Sequence, residues 1–217
     1  MKIDFVYIGE GPSDEGLIPH LEMLCLEAGA EEVTGIAPDF RRLPDSIGHS
    51  VADKIRAAMR LEPNANLFFI HRDSDSIDPS PRYSEIAEAV ETCELQAICV
   101  SVIPVQETEA WLLLDEMAIR LVAGNPNGRV QLNLPAPDSV ETIARPKVLL
   151  KEVLITASGK TGRRLSRFRH DFPIHRRLLL QKLSSQGRVT RLQAWSRMQD
   201  DIKDALNSIQ ANESKAL

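Results

Sequence analysis

Apolar residues in the first half of the chain follow two alternating patterns. Short apolar runs typical of buried strands alternate with segments in which apolar residues recur every three or four positions, as in amphipathic helices. The predicted strands span residues 2–9, 33–37, 67–70 and 97–105. The predicted helices span residues 14–28, 50–61, 83–94 and 107–122. This alternation predicts an α/β domain with a mainly parallel four-stranded sheet flanked by helices.

The pattern changes after Gly124. Residues 124–140 contain three prolines and are typical of a connecting loop. Beyond the loop, helical periodicity predicts helices over residues 147–155, 163–169, 174–183 and 191–209. We therefore expect an α/β domain over residues 1–123 and a helical extension over residues 124–217 that packs on it.

Composition restricts the environment of the protein. Its 217 residues can form one full core, and no apolar run has the length of a membrane span. The three cysteines are odd in number and lack metal-binding spacing, which fits a reducing cytoplasm. We expect a cytoplasmic protein that does not enter a membrane.

Charge is distributed unevenly along the chain. The net charge is −5, yet residues 160–191 contain ten Lys and Arg residues against one acid, Asp171. A dense cationic segment of this kind favours binding of a polyanion such as nucleic acid. The alternative is a solvated face that pairs with the acidic domain. The candidate phosphate-binding residues are Arg163, Arg164, Arg167, Arg169, Arg176 and Arg177.

Two acids, Asp73 and Asp75, directly follow the third predicted strand. In an extended segment, residues two apart point the same way and lie about 6.5 Å from each other. Parallel α/β sheets bind ligands at this carboxyl edge, and two close carboxylates repel unless a cation lies between them. Hard oxygen ligands suit Mg²⁺ or Mn²⁺. The alternative is that both acids are solvated turn formers.

Further acids, Glu10 and Asp14, follow the first predicted strand, where Ser13 is the expected helix N-cap. A dinucleotide-binding loop is excluded there because Asp14 occupies the third glycine position. A haloacid-dehalogenase-type phosphatase places its Asp-x-Asp pair after the first strand, with Thr two residues later. Here that residue is Ile77, so a metal-dependent phosphatase is only the third choice.

The combination of Glu10-Gly11 after the first strand with Asp73-x-Asp75 after a later one resembles the Toprim domain. Toprim proteins include primases, topoisomerases and the overcoming-lysogenization-defect nucleases, and the spacing of Glu10 and Asp14 resembles the nuclease branch. Two further segments, residues 105–115 with Glu-Ala-Trp and residues 145–147, are similar to a narrower group. This group is the Toprim-like domain-of-unknown-function 4276 family, often encoded beside ATPases in bacterial defence loci.

The resemblance implies Mg²⁺- or Mn²⁺-dependent cleavage of nucleic-acid phosphodiesters, with DNA as the expected substrate and a partner ATPase. The implied metal ligands are Glu10, Asp14, Asp73, Asp75 and Glu109. Glu10 is alternatively a general base, and Lys147 or Lys160 would neutralise the reacting phosphate. The rival interpretations of Glu109 and the lysines are solvated helix positions. The rival function is a non-catalytic binding or regulatory subunit that keeps an ion for structure.

Overall fold

The structure, a computed structural model, describes the backbone of residues 1–216 and the side chains of residues 1–214. It confirms the α/β class, with one all-parallel four-stranded sheet, flanking helices and a C-terminal helix. The strands are β1 (Lys2–Ile8), β2 (Glu32–Ile36), β3 (Leu67–His71) and β4 (Ile98–Val102). The helices are α1 (Ile18–Glu27), α2 (Val51–Leu61), α3 (Ser80–Thr92), α4 (Glu109–Leu112), α5 (Glu116–Val122), α6 (Pro137–Val140), α7 (Pro146–Ser158), α8 (Gly162–His170), α9 (Phe172–Lys182) and α10 (Gln193–Ala216).

The chain divides into two compact units, each discontinuous in sequence. The first unit comprises residues 1–72, residues 80–103 and the chain from residue 197 onward. The second comprises residues 73–79 and 104–196. The division predicted between residues 1–123 and 124–217 stays a prediction. Within residues 1–216, none of the helices combines the length and apolar composition needed to cross a lipid bilayer.

The strand order in the first unit is β2-β1-β3-β4. The chain leaves β1 toward β2 on one side and then crosses β1 to reach β3 on the other. The connections therefore diverge between β1 and β3, which makes this pair of strands the switch point of the sheet. Ligands of open α/β sheets bind outside the carboxyl ends of the two strands at such a point.

The two central strands are apolar because both of their faces are covered. All five residues of β3 are buried, as the continuous apolar run at 67–70 predicts. On one face, Val6 and Phe68 share a core cluster with Ile55 of α2 and Ile86 of α3. This packing fixes where the loops after β1 and β3 begin.

One predicted helix is two helices. The segment predicted as a single helix over residues 107–122 breaks between α4 and α5. Asp115 has an extended backbone there, and its Oδ1 accepts a hydrogen bond from the Ala118 N–H at 2.9 Å. The apolar periodicity continues through this break, so periodicity alone does not reveal it. The local signal was the Asp N-cap.

Candidate functional site

Glu10 lies at the switch point of the sheet. The Nε of Arg72, the residue that follows β3, is 2.9 Å from the Glu10 Oε1. The same guanidinium reaches Glu85 of α3, with Nη1 3.1 Å from Oε1. The carboxyl ends of β1 and β3 therefore lie at one edge of the sheet, and an arginine bridges the acids there.

Asp14 is buried beside this edge, with 4% of the residue exposed. Its Oδ2 accepts a hydrogen bond from the Gly11 N–H at 3.0 Å and lies 3.7 Å from the His71 Nδ1. Gly11, not the predicted Ser13, is the N-cap of the 3₁₀ turn Pro12–Leu17. The turn begins earlier than predicted because Pro12 suits the first helical position. Asp14 thus closes the loop that carries Glu10.

A cleft of about 690 Å³ opens beside Glu10, between the loops that follow β1 and β2. Lys54 of α2 lines it and donates a hydrogen bond from Nζ to the Gly9 carbonyl oxygen at 2.8 Å. Burial lowers the pKa of Lys54, and the nearby charge of Arg72 lowers it further. Arg41 also lines the cleft, so both signs of charge face it.

Asp73 belongs to the second unit. Its Oδ1 accepts two hydrogen bonds from Thr108, one from the backbone N–H at 2.9 Å and one from the hydroxyl at 2.8 Å. Thr108 is fully buried, immediately before α4. The Asp73 carboxylate is therefore held in a defined orientation by the chain that precedes α4.

The backbone around Asp75 is not extended as predicted. Asp75 has φ +52°, in the left-handed region, so the two-residue repeat that would align it with Asp73 does not apply. Gln106 is also left-handed, with φ +63°. The Asp75 N–H donates to the Gln106 carbonyl oxygen at 2.8 Å, and the Gln106 N–H donates to the Ser76 carbonyl oxygen at 3.1 Å. Paired backbone hydrogen bonds hold both residues in an unfavourable conformation.

Glu109 forms a buried ion pair with Arg176 of α9. The Arg176 Nε donates to the Glu109 Oε1 at 2.9 Å, and Arg176 and Glu109 are 6% and 1% exposed. Burial raises the pKa of Glu109, while the positive charge of Arg176 opposes that rise. The interpretation of Glu109 as a solvated acid is therefore wrong. Arg176 is not part of the exposed cationic surface, because it neutralises a buried carboxylate.

The two candidate phosphate-neutralising lysines differ in their contacts. The Lys147 Nζ lies 3.9 Å from the Glu109 Oε1, and half of its side chain is exposed. The Lys160 Nζ donates to the Ala123 carbonyl oxygen at 2.7 Å and lies 4.6 Å from the centre of the Phe168 ring. Lys160 therefore links parts of the second unit, whereas Lys147 stands beside the buried carboxylate of Glu109.

The remaining predicted cations are exposed. They lie on α8 and α9. They are Arg163, Arg164, Arg167, Arg169 and Arg177. The Arg167 Nε is 3.9 Å from the Asp171 Oδ2. Even so, 89% of the Arg167 side chain is exposed, so its guanidinium remains accessible.

The acids suit Mg²⁺ in their chemistry, but their arrangement does not match a metal centre. In the described part of the chain, no three His, Cys, Asp or Glu residues are grouped as the ligands of one ion. The carboxylates of Glu10 and Glu109 form ion pairs with Arg72 and Arg176. Glu10 and Asp14 belong to the first unit, and the other predicted ligands belong to the second. A shared metal ion remains a prediction.

Sequence reasoning missed three residues that contact the predicted acids or their loop: Lys54, Arg72 and Thr108. Lys54 had a signal, because it follows Val51 by three positions and so lies near the apolar side of α2. The sequence signal for Arg72 was weaker: it is a cation that stands between a buried strand and a group of acids. Nothing in the sequence links Thr108 to Asp73, which lies 35 residues away.

No protein-family model matches the chain, and neither a curated protein nor a solved structure is significantly similar to it. The resemblance to Toprim-like proteins therefore stays a prediction carried by the motifs alone.

Proposed function

We propose that the protein is a Toprim-like nuclease that cleaves nucleic-acid phosphodiesters, DNA first, with Mg²⁺ or Mn²⁺ as cofactor. One observation carries this proposal: Glu10 lies at the switch point of a parallel sheet, in contact with the residue that follows β3. Ligands of such sheets bind at that point. A carboxylate and a phosphate are both negative and repel each other. Glu10 can therefore act on a phosphate only if a cation lies beside it.

The residues around Glu10 suggest how the chain would act on a phosphodiester. The predicted acidic ligands would have to be drawn together to hold a divalent ion, which would then supply Lewis-acid chemistry at the phosphate. Glu10 would orient the attacking water or accept its proton, which requires release from Arg72. Arg72 and Lys54 would then turn their positive charge to the non-bridging phosphate oxygens. The ion pair between Glu10 and Arg72 is thus the resting form of the site.

The backbone at residues 73–79 and 104–108 supports a functional role for this segment. Asp75 and Gln106 are both left-handed although neither is glycine. Such conformations cost about 1–3 kcal/mol each and cluster at functional sites. Asp75 lies two residues after Asp73, one of the proposed ligands.

The resemblance also supplies the proposed setting. We propose that a partner ATPase stimulates cleavage in a bacterial defence system and that the complex acts in the cytoplasm. The free thiols of Cys25, Cys93 and Cys99 suit a reducing compartment.

The second candidate is a non-catalytic binding or regulatory subunit. It is favoured by the two ion pairs. Arg72 neutralises Glu10 and Arg176 neutralises Glu109, so neither carboxylate needs a metal ion to balance its charge. A chain of this kind could still keep an ion for structure, so metal-dependent turnover, and not metal binding alone, separates the two candidates.

The test combines metal binding with turnover. Wild-type protein, Glu10→Gln and Asp73→Asn are heated with and without millimolar Mn²⁺, then incubated with plasmid, single-stranded DNA and RNA. For the nuclease, Mn²⁺ raises the melting temperature of the wild type only, because binding to the native state stabilises it. Glu10→Gln lowers turnover by about 10²-fold or more, as expected for loss of a general base.

Glu88→Gln is the matched control, since Glu88 is an exposed acid of α3 with no role in the proposed site. It should melt and cleave like the wild type. A wild type without a melting shift and without turnover overturns the nuclease and supports the non-catalytic subunit. A melting shift without turnover supports that subunit in its ion-binding form.

A further inference from the structure

A groove of about 470 Å³ lies between α7, α8 and α9 in the second unit. Cations line it: Lys147 and Lys151 of α7, and Arg169 of α8. All three are exposed. Among the described residues, no Asp or Glu lines the groove. Its charge therefore favours an anionic occupant.

The floor of the groove is apolar. Leu154 of α7, Phe168 of α8 and Phe172 of α9 form it. The two aromatic residues are 7% and 8% exposed, so each offers only a small part of its ring to the groove. The Lys151 Nζ lies 4.8 Å from the centre of the Phe172 ring, which places a positive charge directly beside the apolar surface. The occupant should carry a negative charge next to an apolar group.

A nucleotide has this combination, because its sugar joins a charged phosphate to a flat base. Proteins that bind single strands combine cationic grooves with apolar or aromatic surfaces on which bases lie. Arg163 and Arg164 of α8 are also exposed, so the helix that lines the groove carries further cations beyond it. These additional charges favour a chain of phosphates over a single small anion.

We propose that this groove binds one unpaired nucleotide of a single-stranded nucleic acid. The base lies against Leu154, Phe168 and Phe172, and its flanking phosphates contact Lys147, Lys151 and Arg169. The inference deepens the proposed function by naming a single strand, or a duplex with unpaired bases, as the substrate. A fully paired duplex keeps its bases stacked and does not fill the groove, because extruding a base costs free energy.

The test measures binding without catalysis. Fluorescence anisotropy follows a labelled single-stranded oligonucleotide and the matched duplex, in EDTA and over a series of salt concentrations. Wild-type protein should bind the single strand about 10-fold or more tighter than the duplex, since only an unpaired base can contact the apolar floor of the groove. The double variant Lys151→Glu/Arg169→Glu should bind the single strand about 10-fold or more weakly than the wild type does. Its log–log salt slope should flatten by about 1.4, or 0.7 for each phosphate that is no longer neutralised.

A second variant tests the apolar floor separately. Ile155 of α7 also lines the groove, and Ile155→Gln keeps its size while adding a polar group. Single-strand affinity should fall about 5-fold, because the base then lies against a less apolar surface. The salt slope should stay unchanged, since no charge is removed. Arg129→Glu is the control for charge reversal, because Arg129 is exposed in the loop before α6. All variants should melt like the wild type.

Equal affinity for single strand and duplex overturns the inference. So does a double variant that binds like Arg129→Glu, because the groove cations then contact no phosphate. The outcome is separable from the proposed function, since binding is measured without metal. Metal-dependent turnover without groove binding leaves the nuclease intact and removes the groove. Groove binding without metal-dependent turnover supports the groove and overturns the nuclease.

Discussion

The ion pair between Glu109 and Arg176 shows what a buried charge requires of its neighbours. Both residues are almost fully buried, so each has lost its hydration. Attraction between two buried charges often only balances that loss. Removing one partner is different, because the other charge is then left in a poorly polarisable interior. The pair therefore makes position 176 sensitive to substitution.

We expect Arg176→Met to lower the free energy of unfolding by about 3–5 kcal/mol near pH 8, as for other broken buried pairs. Burial already raises the pKa of Glu109, and loss of the arginine raises it further. The folded variant then binds more protons than the unfolded chain, so its stability increases as pH falls through the raised pKa. Urea denaturation at pH 8, 6.5 and 5 measures this change.

Arg177→Met is the matched control, because Arg177 is the exposed next residue of α9. Its effect should stay within about 0.5 kcal/mol at every pH. A destabilisation by Arg176→Met that does not decrease toward pH 5 would mean that Glu109 is not the group left unpaired.

At the scale of elements, β2 depends on a residue without a side chain. A Cβ atom at Gly35 would lie 2.6 Å from the Phe5 Cε2 of β1 and 2.8 Å from the Ile18 Cγ2 of α1. These separations are far below van der Waals contact. The Phe5 ring is in turn fixed by an edge-to-face contact with Phe69 of β3, with ring centres 4.9 Å apart. Glycine thus allows β2 to pair closely with β1.

Gly35→Ala should lower the free energy of unfolding by about 1–3 kcal/mol, because overpacking displaces side chains that cannot move freely. Chemical denaturation of the four proteins in a double-mutant cycle with Phe5→Leu provides the measurement. The cost should be smaller in the Phe5→Leu background, where the clashing ring is absent. Equal costs in both backgrounds would show that Phe5 is not the obstacle.

At the scale of the whole molecule, the uneven charge carries the prediction of nucleic-acid binding. The net charge is −5, while residues 160–191 hold ten cations and one acid. Burial removes Arg176 from the surface, but the cations of α8 remain exposed. Exposed cations attract phosphates at long range, and salt weakens that attraction.

Reversing Arg163, Arg164 and Arg167 together to Glu should weaken DNA binding. The log–log salt slope should flatten by about 2 to 3 units, because each duplex phosphate that a cation neutralises contributes about 0.9 to it. The Mn²⁺-induced melting shift should remain, because none of the three is a proposed metal ligand. Anisotropy over a salt series measures the slope.

The control reverses three exposed cations of the first unit, Arg42, Arg56 and Arg60. It changes the net charge equally but should leave the slope within about one unit, since none of these three is expected to neutralise a phosphate. If the wild type binds neither DNA nor RNA in a salt-dependent manner, residues 160–191 are only a solvated face.

The sequence by itself determined the fold class and the approximate position of most elements. Apolar runs of strand length alternate with helical periodicity, and parallel strands require connections long enough to contain a helix. It also located Glu10 after β1, because chain order alone puts the residue there. These features depend on neighbours within a few positions, which a pattern along the chain records directly.

Only the tertiary structure decided the strand order and the partners of the acids. Arg72 lies 62 residues from Glu10 in the chain, and Arg176 lies 67 residues from Glu109. Asp75 is left-handed because its backbone bonds to Gln106, a residue in another segment. Burial, charge pairing and such backbone hydrogen bonds depend on distances in space, which apolar periodicity does not encode.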